Sequence, residues 1–284
     1  MGKQPDGTRL QRERRPGMKK SVFIGLLLLL IEMGINAQQY TGLSGLIHTP
    51  SAEMEESGTA KIGGYFLNRE FTPDAFNFRG KYHTADYFLS LTPFSWIELA
   101  YTCTLLKNHR RDGHSNIIND GSTRYYYQDR YFSVKIRVLP EGKWWPAIAI
   151  GGNDPIGTVD GSGNSGGNTQ TSDGKSQYFC NYYVAASKHF QTKGHELALH
   201  VAYRKYKRDY NRKWNGIVGG ITYRPSFAKD LRAIVEYTGN DVNIGVDYLL
   251  WRYFFLQASL QNGKYFTGGL CFKINLLGKK KTSN

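Results

Sequence analysis

The sequence predicts an all-β protein, a single antiparallel up-and-down transmembrane β-barrel of about twelve strands. Three observations carry that expectation. From about residue 59 onward, apolar and polar residues alternate with period two in stretch after stretch, with almost no 3.6-residue periodicity. The connections between these stretches alternate between short and long. A leader that reads as a secretion signal precedes them.

Composition narrows the class without deciding it. The chain has 284 residues, with 37 Lys+Arg against 23 Asp+Glu and 40% hydrophobic residues, enough to bury a core. The 20 Tyr, 15 Phe and 5 Trp point to β structure or a membrane interface. The 32 Gly show no triplet period, which excludes collagen, and three Cys cannot all pair, which excludes a disulfide framework. The mean hydropathy of −0.49 reads as soluble, but a membrane barrel reads the same way because half of each strand faces a polar lumen.

Residues 1–37 read as a signal peptide with an upstream extension. Met18, Lys19 and Lys20 open a basic region, residues 21–31 are almost unbroken aliphatic sequence, and Glu32 ends the run. That run is well short of the ~20 residues a spanning helix needs. Asn36 and Ala37 offer a small-residue cleavage site that would leave Gln38 as the new terminus. No Cys follows the run to take a lipid anchor. The leader holds seven basic residues (Lys3, Arg9, Arg12, Arg14, Arg15, Lys19, Lys20) and three acidic ones (Asp6, Glu13, Glu32), so its removal lowers the formal charge from +14 to +10. A basic exported chain favours an anionic partner, polysaccharide or lipopolysaccharide, over nucleic acid.

Residues 38–58 form a periplasmic lead-in. Pro50 fixes its own φ and holds Thr49 extended. This suits either a segment that plugs or braces the barrel mouth or a plain ordered lead-in.

The strands then fall near 59–67, 83–93, 96–106, 126–138, 145–153, 178–189, 195–205, 214–224, 230–238, 242–250, 252–261 and 264–276. In the third, Ile97, Leu99, Tyr101 and Leu105 alternate with Glu98, Ala100 and Thr104; in the seventh, Leu197, Leu199, Val201 and Tyr203 alternate with His200, Ala202 and Arg204. Connections after the even strands are short, while those after strands one, three, five and seven are long, at 68–82, 107–125, 154–177 and 206–213. Outer-membrane barrels place short turns in the periplasm and long loops outside the cell. An even strand count returns both ends of the 59–277 barrel to the periplasmic side and leaves 278–284 as a basic tail. A secreted β-sandwich or jelly roll explains the alternation equally well, but not the loop asymmetry or the aromatic strand ends.

Several blocks also carry a family resemblance. Gly45-Leu46-Ile47-His48-Thr49-Pro50-Ser51-Ala52 with Gly58-Thr59 resembles the opening of YjbH-like exopolysaccharide-associated outer-membrane proteins. Trp145-Pro146-Ala147-Ile148-Ala149-Ile150-Gly151, Tyr183-Val184-Ala185-Ala186-Ser187-Lys188 and Glu236-Tyr237-Thr238-Gly239-Asn240-Asp241-Val242 follow in order, as does Gln261-Asn262-Gly263-Lys264-Tyr265. The resemblance implies an outer-membrane barrel linked to production or export of extracellular polysaccharide. It names no catalytic residue. Larger relatives continue into a second long region absent here, and many carry a lipobox that this chain lacks.

The chemical motifs are weak. Gly161-Ser162-Gly163-Asn164-Ser165-Gly166 matches a dinucleotide fingerprint, but no helix follows to receive phosphates, so it reads as a flexible loop. The His residues show no metal-ligand spacing; His189 and His195 flank a turn without an evident carboxylate partner. A lipid hydrolase would need a Ser–His pair facing lipid, yet the register sends His200 into the lumen. A glycosidase would need two opposed carboxylates, and Glu98, Glu236 and Asp247 share the lumen with Lys135, Arg137, Arg232 and Lys273. These seven side chains read as a polar network that fills the lumen. No cofactor is expected.

The basic, tyrosine-rich loops are the strongest functional lead. Arg204, Lys205, Lys207, Arg208, Tyr210, Arg212 and Lys213 form one cluster, and Arg110 and Arg111 belong to a second. Extracellular Arg and Lys meet carboxylate or phosphate while Tyr stacks on sugar faces. Specific contact with an anionic exopolysaccharide and general contact with lipopolysaccharide both fit. The expected function is a non-catalytic outer-membrane accessory of exopolysaccharide production or export, with other export proteins as partners. A structural or adhesin-like barrel and a lipid-modifying enzyme are the alternatives.

Overall fold

The computed structural model describes residues 38–72, 82–109, 123–156 and 177–277, with the side chains of 106–109 and 123–127 left aside. Twelve strands close into one barrel: β1 (Thr59–Leu67), β2 (Thr84–Phe94), β3 (Ile97–His109), β4 (Thr123–Leu139), β5 (Ala147–Asn153), β6 (Asn181–Thr192), β7 (His195–Tyr206), β8 (Gly216–Arg224), β9 (Leu231–Tyr237), β10 (Val242–Leu250), β11 (Phe254–Gln261) and β12 (Tyr265–Asn275). Each pairs with its sequence neighbours, and β1 pairs with both β2 and β12, so the sheet has no free edge. All pairings are antiparallel, as up-and-down connections require.

Period two sorts the side chains. Ile62, Leu89, Leu99, Val201, Val246 and Leu270 face outward and are exposed, whereas Lys61, Glu98, Lys135, Arg232 and Lys273 point inward and are buried. An apolar outer face around a charged interior inverts a soluble protein and suits a wall facing hydrocarbon. Aromatics band both ends of the outer wall. Phe94, Trp96, Trp144, Trp145, Phe227 and Trp251 lie by the short turns, and Phe66, Tyr87, Tyr182, Tyr203, Tyr237 and Phe266 lie by the other end.

Several element ends differ from the sequence expectation. β3 and β4 run three residues into the stretch read as a loop at 107–125, with a register shift between Leu106 and Lys107. The run Tyr125-Tyr126-Tyr127 is strand-forming, so the hairpin continues past the point where alternation fades. β6 is displaced towards its hairpin, because Lys193 (φ 51°) and Gly194 (φ 81°) make a two-residue left-handed turn in place of the longer loop expected there. Residues Asp209–Trp214 form a 3-10 segment that runs one residue past the 206–213 connection, and β8 starts at Gly216 rather than near 214.

The interior is not empty. Residues 38–55 are all buried. They double back twice, through bridges Gln38↔Ser44 and Gly45↔Pro50, before leaving at Gly58 on the short-turn side. The lead-in is therefore a plug within the lumen. The wall makes room for it with two inward glycines: a Cβ on Gly220 would lie 2.6 Å from Leu46, and one on Gly245 would lie 2.8 Å from Ile47.

Candidate functional site

The plug and the wall that grips it form the most elaborate polar site among the described residues. Its half nearer the long connections is built on Leu46-Ile47-His48-Thr49. Leu46 N–H donates to Thr49 O at 2.9 Å, closing a tight reversal that turns successive amides the same way. The N–H groups of Ile47, His48 and Thr49 all donate to the Glu236 carboxylate at 2.9–3.0 Å, and Asn243 Nδ2 adds a fourth bond at 2.7 Å. Three amides converging on one carboxylate replace the water it lost on burial.

Arg204 completes this half. Its guanidinium donates to the carbonyls of His48 (2.6 Å), Thr238 (3.0 Å) and Trp214 (3.2 Å), and its Nη2 lies 3.2 Å from His48 Nδ1. Burial, then the charges of Arg204 and Lys213, push the His48 imidazole well below its usual pKa of 6.5. His48 is thus neutral, accepting from Arg204 through Nδ1, and it packs against Tyr40 and Trp214.

The half nearer the short turns is ionic. Glu53 meets Arg232 at 3.3 Å, and Arg232 is shared with Asp247. Glu55 meets Lys273 at 2.6 Å and Lys61 at 3.4 Å. Lys61 also reaches Glu98 at 3.2 Å, and Glu98 pairs with Lys135 at 3.0 Å. Backbone contacts tie the plug into these pairs: Glu98 accepts from Ser44 N and Oγ, while Lys135 donates to the carbonyls of Ser44 and Glu53. Burial alone would raise the Glu53 carboxyl, but Arg232, His200 and His189 outweigh it and hold Glu53 well below the carboxylate range. Lys273 and Lys61 likewise outweigh burial and hold Glu55 below its usual 4.5.

Six of the seven residues read as a lumen network, Glu98, Lys135, Arg232, Glu236, Asp247 and Lys273, sit buried in these two clusters. Arg137 does not. It lies half-buried at the short-turn rim, where its Nη2 donates to Ser95 O at 2.6 Å, because the register slips between Arg137 and Leu139. The basic cluster divides. Arg204 belongs to the lumen at 2% exposure, since it shares the inward parity of His200 and Ala202 on a strand that runs on to Tyr206. Lys205, Lys207 and Arg212 are exposed, with Arg208, Tyr210 and Lys213 half-buried around the 3-10 segment. Arg110, Arg111, the glycine-rich 161–166, the leader and the C-terminal tail lie outside the described residues.

Glu53, Glu55 and Lys61 escaped the sequence reading. Their only sequence signal is charge placed in or beside a short lead-in with no alternation of its own. The histidine reading needs correction too. His189 and His195 stay apart, and each has its own partners. His189 Nδ1 lies 2.6 Å from Glu141 and its Nε2 3.3 Å from Glu53, carboxylates 48 and 136 residues away in sequence. His195 contacts Tyr223 Oη and Ser226 Oγ at the β8–β9 end.

Ser187 Oγ and His200 Nδ1 are 2.9 Å apart, the kind of pair a hydrolase uses. However, the other ring nitrogen meets Thr222 Oγ1 at 3.2 Å rather than a carboxylate, and Ala52 N–H donates to Ser187 Oγ at 2.9 Å. Both side chains lie beneath the plug, facing away from lipid.

Comparison with known proteins finds similar solved structures, a sequence relative and a family model. The outer membrane phospholipase A of Escherichia coli is 12% identical, matching 76% of this chain and 95% of its own at a TM-score of 0.34. The calcium-bound outer membrane phospholipase dimer of Salmonella typhi is 11% identical, with 76% and 89% covered and a TM-score of 0.33. The fold assignment stands on the closed sheet and its apolar outer face. In sequence, the chain is 25% identical over 151 residues to the Escherichia coli (strain K12) protein named "Uncharacterized lipoprotein YjbH", a match covering 50% of this chain and only 19% of that longer relative. A family model described as exopolysaccharide biosynthesis protein YbjH matches residues 37–284, all of the chain from the plug onward, and the chain belongs to this YjbH family.

Proposed function

We propose that this barrel sits in the outer membrane as a non-catalytic accessory of exopolysaccharide production or export, closed at rest by its own N-terminal segment. The observation that carries the closed state is the complete burial of residues 38–55, gripped at one end by Glu236 and at the other by Arg232, Lys61 and Lys273. Plug amides and Asn243 enclose the Glu236 carboxylate, and Arg232 lies between Glu53 and Asp247, so these buried acids are closed to a substrate while the segment is in place. The access of Ser187 and His200 is blocked by the same segment. The family assignment supports the polysaccharide link.

In this reading the long connections face outward. The exposed Lys205, Lys207 and Arg212, with Arg208, Tyr210 and Lys213 beside them, meet lipopolysaccharide phosphates or anionic glycan at the cell surface. Arg110 and Arg111 are proposed to contribute to the same contact.

Planar-bilayer recordings test the closed state. The intact barrel is expected to conduct little, and Glu236→Ala to raise both conductance and opening frequency. A large steady conductance in the intact protein, unchanged in that variant, would overturn the plug's role. Loss of secreted polysaccharide on deletion of the gene, restored by the intact chain, tests the polysaccharide link.

A further inference from the structure

The outer wall has a gap in its apolar cover on β8. Gly219 occupies an outward position on β8, paired with Val201 on β7 and Tyr237 on β9. Around it stand exposed aliphatic side chains, Leu199, Val201, Ile217, Ile221, Val235 and Val242. A tyrosine beside a glycine in a sheet can cover the gap with its ring. Here Tyr237 Oη donates to Gly239 O at 2.8 Å, which ties the ring to the β9–β10 turn instead. An open apolar groove of about 490 Å³ remains.

Its position limits what can fill it. Ile217, Tyr237 and Val242 lie at the long-connection ends of their strands, so the groove occupies the outward half of the wall. Lys205 shares the outward face of β7 with Val201 and Tyr203, four residues beyond Val201 and so about 14 Å above it by strand rise. The connection that follows β7 adds the exposed Lys207 and Arg212. Apolar slot below and cations above match a lipid with acyl chains in the outer leaflet and phosphates at its surface.

We propose that this groove is a binding site for an acyl chain of a phosphorylated glycolipid of the lipopolysaccharide class, with Lys205 and the β7–β8 connection meeting its phosphates. This deepens the lipopolysaccharide contact proposed above and rests on outer-membrane placement. Specificity comes from the combination, because a bare apolar wall would accept any chain and bare cations any anion.

The test is lipopolysaccharide retained by the full-length barrel after extraction from outer membranes in mild detergent, read by native mass spectrometry. Val201→Trp fills the groove from an exposed wall position and is expected to cut retention roughly tenfold. Lys205→Glu should give a smaller, salt-dependent loss. Leu91→Trp, on the outer wall near the opposite end of the barrel, should leave retention unchanged. Heat modifiability on gels confirms a folded barrel in each case. Equal retention by the intact barrel and folded Val201→Trp would overturn the groove assignment while leaving the barrel reading intact. An intact chain that is neither heat-modifiable nor found in outer membranes would overturn the placement beneath it, and the groove assignment with it.

Discussion

Residues 45–50 and residues 53–55 of the plug lie in one lumen, yet the wall grips them differently. The first stretch is held by its backbone: three amides on Glu236, and the His48 carbonyl on Arg204. The second is held by its side chains, with Glu53 on Arg232 and Glu55 on Lys273 and Lys61. A backbone grip demands a particular chain conformation, which Pro50 and the Gly45↔Pro50 bridge supply, but tolerates changes of side chain. An ionic grip depends on particular side chains and on pH. The pairing of the two gives a segment fixed in register at one end and held by ion pairs at the other.

Substitutions can pull the two grips apart. The largest effect is expected from Arg232→Ala, which leaves Glu53 and Asp247 buried without their shared guanidinium. Breaking a buried pair by removing one partner costs about 3–5 kcal/mol, so thermal unfolding in detergent should show a clearly lowered Tm. Glu236→Ala should come next. It strands three buried amides at about 1–3 kcal/mol each if none finds a new partner, but the plug backbone can shift and rehydrate them, which a buried charge left without its partner cannot do. Conductance should rise clearly while Tm falls less than in Arg232→Ala, because the plug is held there and the wall is closed by its own ladder. Glu236→Gln, which keeps an acceptor, should show a weaker version of both.

Acid should loosen both ends, because the backbone grip needs an ionised Glu236 carboxylate just as the ionic grip needs Glu53 and Glu55. Glu53 and Glu55 have folded pKa values depressed below 4.5, so their contribution is complete above about pH 4.5 and is lost as pH falls through the folded values. Channel opening at low pH should therefore lose part of its pH dependence when Glu53 and Glu55 are both replaced by Gln, with the remainder carried by Glu236. His48 is already neutral, so its grip should not weaken as pH rises from 6 to 8. The smallest effect is expected from Thr102→Ala, which removes one 2.8 Å bond to Thr41 O and should cost about 1 kcal/mol.

The strands were legible because the apolar face of each is repeated every second residue, and this held even through Gly219 and Gly268. The same parity, followed from His200 through Ala202, already places Arg204 inside; grouping it with Lys205 and Lys207 by charge alone obscured that. The plug was less legible. Its contacts join residues as distant as Glu53 and Arg232, 179 positions apart, and nothing local distinguishes a buried coil from an exposed lead-in. The blocks around Ile47-His48-Thr49 and Glu236-Tyr237-Thr238 were visible as motifs, but only the closed sheet brings them together, 188 positions apart between His48 and Glu236. The extension of β3 and β4 was missed because the end of alternation was read as the end of pairing.

The central claim is that residues 38–55 occupy the lumen of the folded barrel. Its most direct test is thiol accessibility of Ser44→Cys in purified, detergent-solubilised protein whose three native cysteines, all buried, have been replaced by alanine. Labelling by a bulky charged maleimide should be blocked in the native barrel, appear on denaturation, and proceed readily at the exposed Asp230→Cys under native conditions. If Ser44→Cys is labelled as fast as Asp230→Cys in a barrel that still shifts on heating, the segment is not a plug.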